Sequence, residues 1–186
     1  MFAEESKWIW EVIKEGISGR LILDVGAGSP EYRNEKQPYI AKLYRQMAGS
    51  GAEIKTFDFN ADNGAEITAD ICDEDLLNKV KQRFDVVIAA NILEHVEDIE
   101  TAAKNLCGLV KSQGRLVVTV PKTLPRHPHP IDNGWRPNAE ELAEKFACLM
   151  RLIRTESWID EHYREPYISD ANCRRPEVTG GVFIKD

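Results

Sequence analysis

Apolar residues in this chain follow two alternating rhythms. Short continuous runs, Arg20 to Val25, Phe84 to Ala90 and Arg115 to Val120, read as strands, the second of them buried on both faces. Between them apolar residues recur at helical spacing. Trp8, Ile9, Val12 and Ile13 line one side of a helix expected from Glu4 to Gly16. Positions 99, 102, 103, 106, 109 and 110 form an apolar face over Asp98 to Val110. Helices are also expected over Asn34 to Met47, ended by Gly49-Ser50-Gly51, and over Asp73 to Gln82, where acids come first and bases last. Glu53 to Phe59 and Glu66 to Ala69 read as further strands, each with an aspartate close by, Asp58 and Asp70. Asn138 and Glu141 form a capping-box-like start for a helix through Phe146. Met150 to Trp158 and Thr179 to Lys185 supply two last strands. Strands alternating with helices predict an α/β domain with a mostly parallel sheet covered on both faces. The final pair, joined without an evident helix, brings in an antiparallel strand.

At 186 residues the chain suits one domain with a substantial core, 42% hydrophobic and 30% charged. Two parts stand out in it, an N-terminal helical segment (1–19) and a proline-rich connection (121–137), unusually long for an ordinary loop. The net charge of −7 argues against broad nucleic-acid binding, and the Arg174-Arg175 pair reads as a solvated turn. The four cysteines, Cys72, Cys107, Cys148 and Cys173, form no CxxC pair and read as reduced thiols in a cytoplasmic protein. Glu4 and Glu5 precede the first apolar residues, the wrong order for a secretory signal. No apolar run approaches a membrane span. Composition leaves the oligomeric state open.

The chemistry starts where the first strand ends, at Asp24-Val25-Gly26-Ala27-Gly28. Two glycines one residue apart after a buried strand make a tight turn at the mouth of an open α/β sheet, where ligands bind. A dinucleotide site wants a third glycine at position 31. Here that residue is Glu31, after Pro30, and its carboxylate repels a pyrophosphate. This speaks against a nicotinamide-dependent oxidoreductase and for a nucleoside without phosphates.

Five markers in order, LDVGAG…FD…AD…FDVVIAANILEHV…GRLVVTVP, resemble the class I S-adenosylmethionine-dependent methyltransferase family, in its small-molecule subgroup. The match runs from about Leu21 to Val120, and the flanks fit the same domain. The resemblance implies a Rossmann-like, doubly wound, seven-stranded sheet with one antiparallel strand near the C-terminus. It implies S-adenosyl-L-methionine as cofactor and a small-molecule methyl acceptor. Gly26, Ala27 and Gly28 would pass the methionine part, with Asp24 holding the turn and biasing the pocket negative. Asp58 would accept from both ribose hydroxyls, with Phe59 beside it. Asp70 would accept from the adenine amino group, and the Ile71 N–H would face the ring. Ala90 and Asn91 would line the methionine end. Each role has a plainer rival: Asp24 can merely fix the turn, Asp58 end a strand, Asp70 cap a turn, and the glycines punctuate the backbone. Gly28 and Asp58 lie 30 residues apart, against a usual spacing of roughly 20. Asp62 is therefore the fallback ribose acid. That departure also keeps a second reading open, an inactive methyltransferase-like binding or regulatory module.

Methyl transfer requires alignment more than a fixed catalytic group, although an oxygen or nitrogen nucleophile wants a base. His95, in the LEHV segment, and His127 and His129, in the proline-rich connection, are the candidates. That connection continues with Asp132, Trp135 and Arg136, and resembles the loop bordering the substrate cleft in related methyltransferases. Its plainer reading is a stiff surface loop, with Trp135 plugging the core and Arg136 pairing Asp132. His127, His129 and Asp132 can supply three metal ligands. Pro128 and Pro130 restrict them, so no metal is expected. Tyr32 and Arg33 either close over the cofactor or face solvent.

Overall fold

The computed structural model describes residues 1–126, 131–160 and 176–186. Among them, seven strands form one sheet: β1 (Leu21–Val25), β2 (Glu53–Asp58), β3 (Ile67–Thr68), β4 (Phe84–Ala90), β5 (Val110–Pro121), β6 (Arg151–Ile159) and β7 (Glu177–Ile184). Their spatial order is β3-β2-β1-β4-β5-β7-β6. The strands from β3 to β5 pair in parallel, while β7 runs antiparallel to both neighbours. The sheet is therefore the doubly wound Rossmann-like arrangement with one reversed strand. The chain leaves β1 for β2 on one side and later returns to β4 on the other. That reversal opens a crevice at the C-terminal ends of β1 and β4.

Side-chain alternation along the strands builds two cores. Ile22, Val86, Ile88 and Val117 face α1 (Ala3–Ile13) and α2 (Pro38–Gly49). Leu23, Val25, Val87, Ala89, Leu116 and Val118 face α3 (Leu76–Lys79), α4 (Ile99–Leu109) and α5 (Ala139–Phe146). Helix starts follow local chemistry. Asp98 accepts from the N–H groups of Glu100 and Thr101. The Asn138–Glu141 capping box is complete.

Two helices are shorter than the sequence pattern predicts, for identifiable reasons. The second begins at Pro38 rather than near Asn34, because the residue before a proline is pushed out of helical backbone and Gln37 is so displaced. Residues Tyr32–Lys36 form a separate π-type turn. The third helix covers only Leu76–Lys79. Asp73 takes the Asp75 N–H into a local turn. At the other end Arg83 binds the carbonyls of Leu77, Val80 and Gln82. Among the described residues no helix is long and apolar enough to cross a membrane.

Candidate functional site

The glycine turn sits at the crevice and is held from the β2 side. Gly26 and Gly28 both adopt left-handed backbone, at φ 77° and 66°, which glycine accepts without steric cost. The Gly26 and Ala27 N–H groups share the Phe57 carbonyl, at 2.9 and 3.1 Å. The Gly28 N–H donates to Asp58 Oδ2 at 2.7 Å. Asp58 Oδ1 accepts from the Asn60 N–H and from Asn63 Nδ2, both at 2.9 Å. The 30-residue spacing therefore leaves the β2-end acid in place. The surplus residues are the Tyr32–Lys36 turn and the approach to α2, while Asp62 lies exposed in the next turn.

Behind the turn, Asp24 is buried and accepts from the Tyr44 hydroxyl at 2.5 Å. Desolvation pushes its pKa up to about 6, while the Tyr44 bond and the Arg33 charge pull it down. Burial, together with the Asp24 charge, drives the Tyr44 phenol well above its ordinary value. Arg33 donates to the Ala27 and Gly28 carbonyls and lies over the Tyr44 ring, 5.5 Å from its centroid. It is a clasp on the turn rather than a solvated charge. The Tyr32 ring covers Gly28, where a Cβ would stand 3.1 Å from Tyr32 Cδ1.

The residues expected beside a nucleoside follow β2 and β3 at the same end of the sheet. Phe59 follows Asp58 with 76% of its surface exposed. Asp70 Oδ1 accepts the Cys72 N–H at 2.8 Å, so part of that carboxylate does cap a turn. Ile71 is buried, and its carbonyl accepts from Asn105 Nδ2.

Across the crevice, Ala90 ends β4 and Asn91 takes left-handed backbone at φ 53°. The Asn91 N–H extends the sheet to the Thr119 carbonyl, and Asn91 Nδ2 donates to Glu5 Oε2 at 2.9 Å. Ile92 leans over the glycine turn, so that a Cβ on Gly26 would stand 2.3 Å from its Cγ2. Two buried acids lie here that sequence reasoning did not assign. Glu5, from α1, accepts from the Phe2 N–H, Asn91 Nδ2 and the Thr119 hydroxyl. Glu94 is 1% exposed, and burial, then the Glu5 charge, raise its pKa to about 8 against the pull of its own backbone N–H and of the Arg136 charge. The NILEHV motif contains Glu94; Glu5 entered the sequence reading only as an acid ahead of the first apolar residues.

The loop after β5 is held by its own polar residues. Asp132 accepts from the Gly134 N–H and from Arg136 Nη2, at 2.9 and 2.6 Å. Asn133 donates its N–H to the Glu94 carbonyl and its side chain to the carbonyls of Leu93 and Val96. His95 Nδ1 lies 2.8 Å from the Ile131 carbonyl, which only accepts, so the proton is on Nδ1. Trp135 packs against the core. The plainer reading of Trp135 and Arg136 thus describes their contacts. A cleft of about 510 Å³ beside them is lined by residues 134–137 and by Glu141, Glu144 and Lys145 of α5. His127 and His129 lie outside the described residues.

A family model described as "Methyltransferase domain" matches residues 6–159. The chain belongs to that methyltransferase family. The family's cofactor is S-adenosylmethionine, and the donor set fits it. A positive-φ turn offers bare backbone, carboxylates suit hydroxyl, sulfonium and ammonium groups, and Asn91 Oδ1 is buried without a partner. Among curated relatives, a ubiquinone biosynthesis O-methyltransferase of Coxiella burnetii (strain RSA 493 / Nine Mile phase I) is 31% identical over 111 residues. That alignment covers 54% of this chain and 43% of the relative, so the chain spans less than half the length of the curated relatives it matches. Solved structures show the same fold. The N-methyltransferase NodS from Bradyrhizobium japonicum WM9 aligns with TM-score 0.62 at 14% identity, over 98% of this chain and 94% of that one. A SAM dependent methyltransferase from Archaeoglobus fulgidus gives 0.63 at 14% identity, with the same coverages. The CurJ carbon methyltransferase gives 0.61 at 16%, over 98% of this chain and 54% of that one.

Proposed function

We propose that this chain is an S-adenosylmethionine-dependent methyltransferase acting on a small-molecule acceptor. The observation that carries the reading is the convergence of the Gly26–Gly28 turn, Asp58 and Asn91 on the crevice where the sheet reverses direction. The bound cofactor supplies an electrophilic methyl group on a sulfonium. The chain supplies placement. Asp58 takes the ribose hydroxyls; one Oδ2 acceptor position remains beside Gly28, and Asn63 is the partner a ribose displaces from Oδ1. Phe59 and Ile71 flank the adenine, and Asp70 accepts from its amino group. The exposure of Phe59 favours this, because a large aromatic surface left in water is a ready stacking face. Ala27, Gly28 and Ala90 pass the methionine portion, with Asp24 and Tyr44 fixing the turn beneath it. The loop carrying Asp132, Trp135 and Arg136 borders the acceptor side. Its internal ion pair makes it a rigid wall.

Proximity and exclusion of water carry the rate in such a reaction, so a general base is needed only for an acidic nucleophile. His95 has its Nδ1 proton committed to Ile131, which leaves Nε2 as the accepting nitrogen. The similar proteins include an oxygen, a nitrogen and a carbon methyltransferase, so they support the class of reaction and leave the acceptor atom open. Titration calorimetry with S-adenosylhomocysteine tests the cofactor reading. Micromolar binding is expected, and no binding at millimolar ligand overturns it.

A further inference from the structure

The two edges of the sheet are guarded differently. β3 closes one side with only two residues, Ile67–Thr68. β6 closes the other with nine, Arg151–Ile159, and contains neither proline nor lysine. Short strands, proline and lysine are common means of keeping an edge from pairing with another chain. A register shift between Leu152 and Arg154 is the one irregularity in its pairing with β7. Asp160 donates its N–H to the Pro176 carbonyl at 2.9 Å, one step beyond the Ile159–Glu177 pair. Antiparallel bonds fall on alternate residues, so Arg154, Glu156 and Trp158 bond to β7. Thr155, Ser157 and Ile159 therefore turn their backbone N–H and C=O groups outward, where no strand lies among the described residues. The Glu177 carbonyl agrees: opposite Ile159, it accepts from Lys122 on the β5 side. Leu152, Ile153 and Ile159 leave 39, 50 and 55% of their surface exposed along the same strand.

The charges on this edge are half used. Glu156 Oε2 accepts from Trp8 Nε1 at 3.0 Å and from Arg154 Nε and Nη2 at 3.1 and 2.6 Å. Arg154 first, then Trp8, hold the Glu156 pKa below its ordinary value, so the carboxylate is ionised. All three donors meet one oxygen. Glu156 Oε1 and Arg154 Nη1 have no partner among the described residues.

Two copies of β6 laid antiparallel must match outward residue to outward residue, which puts the two-fold axis on a residue. An axis at Arg154 opposes arginine to arginine, and one at Glu156 opposes glutamate to glutamate, both unfavourable. An axis at Ser157 sets Arg154 across from Asp160, which is fully buried and already accepts from the Glu4 N–H. An axis at Thr155 sets Arg154 of each copy across from Glu156 of the other, twice, where the unspent Nη1 and Oε1 can meet. The two Thr155 backbones then exchange N–H···O bonds.

We propose that β6 is a self-association surface, on which two copies of this chain pair antiparallel about Thr155 with Arg154 of each facing Glu156 of the other. The contact also covers the exposed Leu152, Ile153 and Ile159 side chains. It stands apart from the crevice, since β5 and β7 separate β6 from β1 and β4, and it does not rest on the methyltransferase reading.

The test is sedimentation velocity of the full chain over a concentration series, with Arg154→Glu, Glu156→Arg and an equimolar mixture of the two. The wild type is expected to dimerise. Each variant alone faces two like-charge contacts and should associate at least about tenfold more weakly. In the mixture one chain presents two acids and the other two bases, so both ion pairs return and a heterodimer forms. A merely structural role of the Arg154–Glu156 pair within one strand gives no such rescue. Independently, Thr155→Cys should form an intermolecular disulfide beyond the level that the native cysteines give, because Cα atoms so paired stand about 5.5 Å apart. Ser157→Cys should not. A wild type that stays monomeric at about 100 µM overturns the proposal, as dimers that weak carry little free energy. So do single variants that dimerise like the wild type, a mixture that stays monomeric while both variants are folded by circular dichroism, or linkage through Ser157→Cys in place of Thr155→Cys.

Discussion

Asp58 and Glu94 are both carboxylates buried at the ends of neighbouring parts of one sheet, and they live in opposite circumstances. Asp58 accepts three hydrogen bonds, two of them from backbone N–H groups of the turns around it. Glu94 Oε2 has no donor among the described residues, and burial raises the Glu94 pKa to about 8. Donor supply makes the difference. Chain turns that fold over β2 point their N–H groups inward, so an acid there is satisfied before any ligand arrives. At the end of β4 the neighbouring side chains are Glu5 and Asn91, and the Asn91 carboxamide donates to Glu5. The β2 half of the crevice is thus preformed, whereas the β4 half holds buried acceptors that no donor meets among the described residues.

The strongest blow to the preformed half is Gly26→Val. The new side chain must adopt φ 77° and place a Cβ 2.3 Å from Ile92 Cγ2. Left-handed strain and overpacking together cost about 2–5 kcal/mol. Chemical denaturation is expected to show that loss, with S-adenosylhomocysteine binding abolished. Stability within about 0.5 kcal/mol of wild type, the range of a harmless surface change, would contradict the crowding. Next in size is Asp58→Ala, which removes a charged acceptor worth about 1.5–3 kcal/mol. S-adenosylhomocysteine affinity should fall roughly 10- to 150-fold. Asp62→Ala should leave it unchanged, and the reverse pattern would make Asp62 the ribose acid.

The preformed half was also the legible half. Strand-end acids and paired glycines are local signals, and each leaves a mark at a fixed offset in the sequence. The mostly parallel sheet and the single reversed strand followed from the alternation of strand and helix patterns. The helix ends resisted for local reasons as well, Pro38 acting on Gln37 and Asp73 bending its own backbone. Glu5 resisted for a different reason. Its partners Asn91 and Thr119 are 86 and 114 residues away, and no spacing rule joins them. Arg33 and Tyr44 are of the same kind, since a guanidinium on the turn's carbonyls and a phenol on Asp24 arise only from tertiary placement.

The pH dependence of stability separates the two halves with a smaller effect. Glu94 binds its proton more tightly folded than unfolded, so its contribution is full below about pH 4.5, the ordinary value, and is lost as pH rises through about 8. Over that window the slope is at most one proton, about 1.4 kcal/mol per pH unit. Glu94→Gln should flatten the decline in thermal midpoint between pH 5 and pH 8 as a rough window. An unchanged slope would place Glu94 in a better-hydrated setting than its burial indicates.

Tyr44→Phe is the mildest of these changes and probes the floor of the glycine turn. It deletes one hydrogen bond to Asp24, worth about 1 kcal/mol, and keeps the ring under Arg33. That bond lowers the Asp24 pKa, so its loss should move the carboxyl above about 6, a shift readable by carbon-13 NMR titration. The sign for stability follows from the raised value. The Asp24 contribution is full below its unfolded pKa of about 3.8 and disappears as pH rises through about 6. The variant should therefore lose stability most near neutral pH and least in acid, where protonated Asp24 no longer needs the phenol to hold its charge. An Asp24 titration unmoved by the substitution would mean that Arg33, rather than Tyr44, holds the carboxylate in its ionised form.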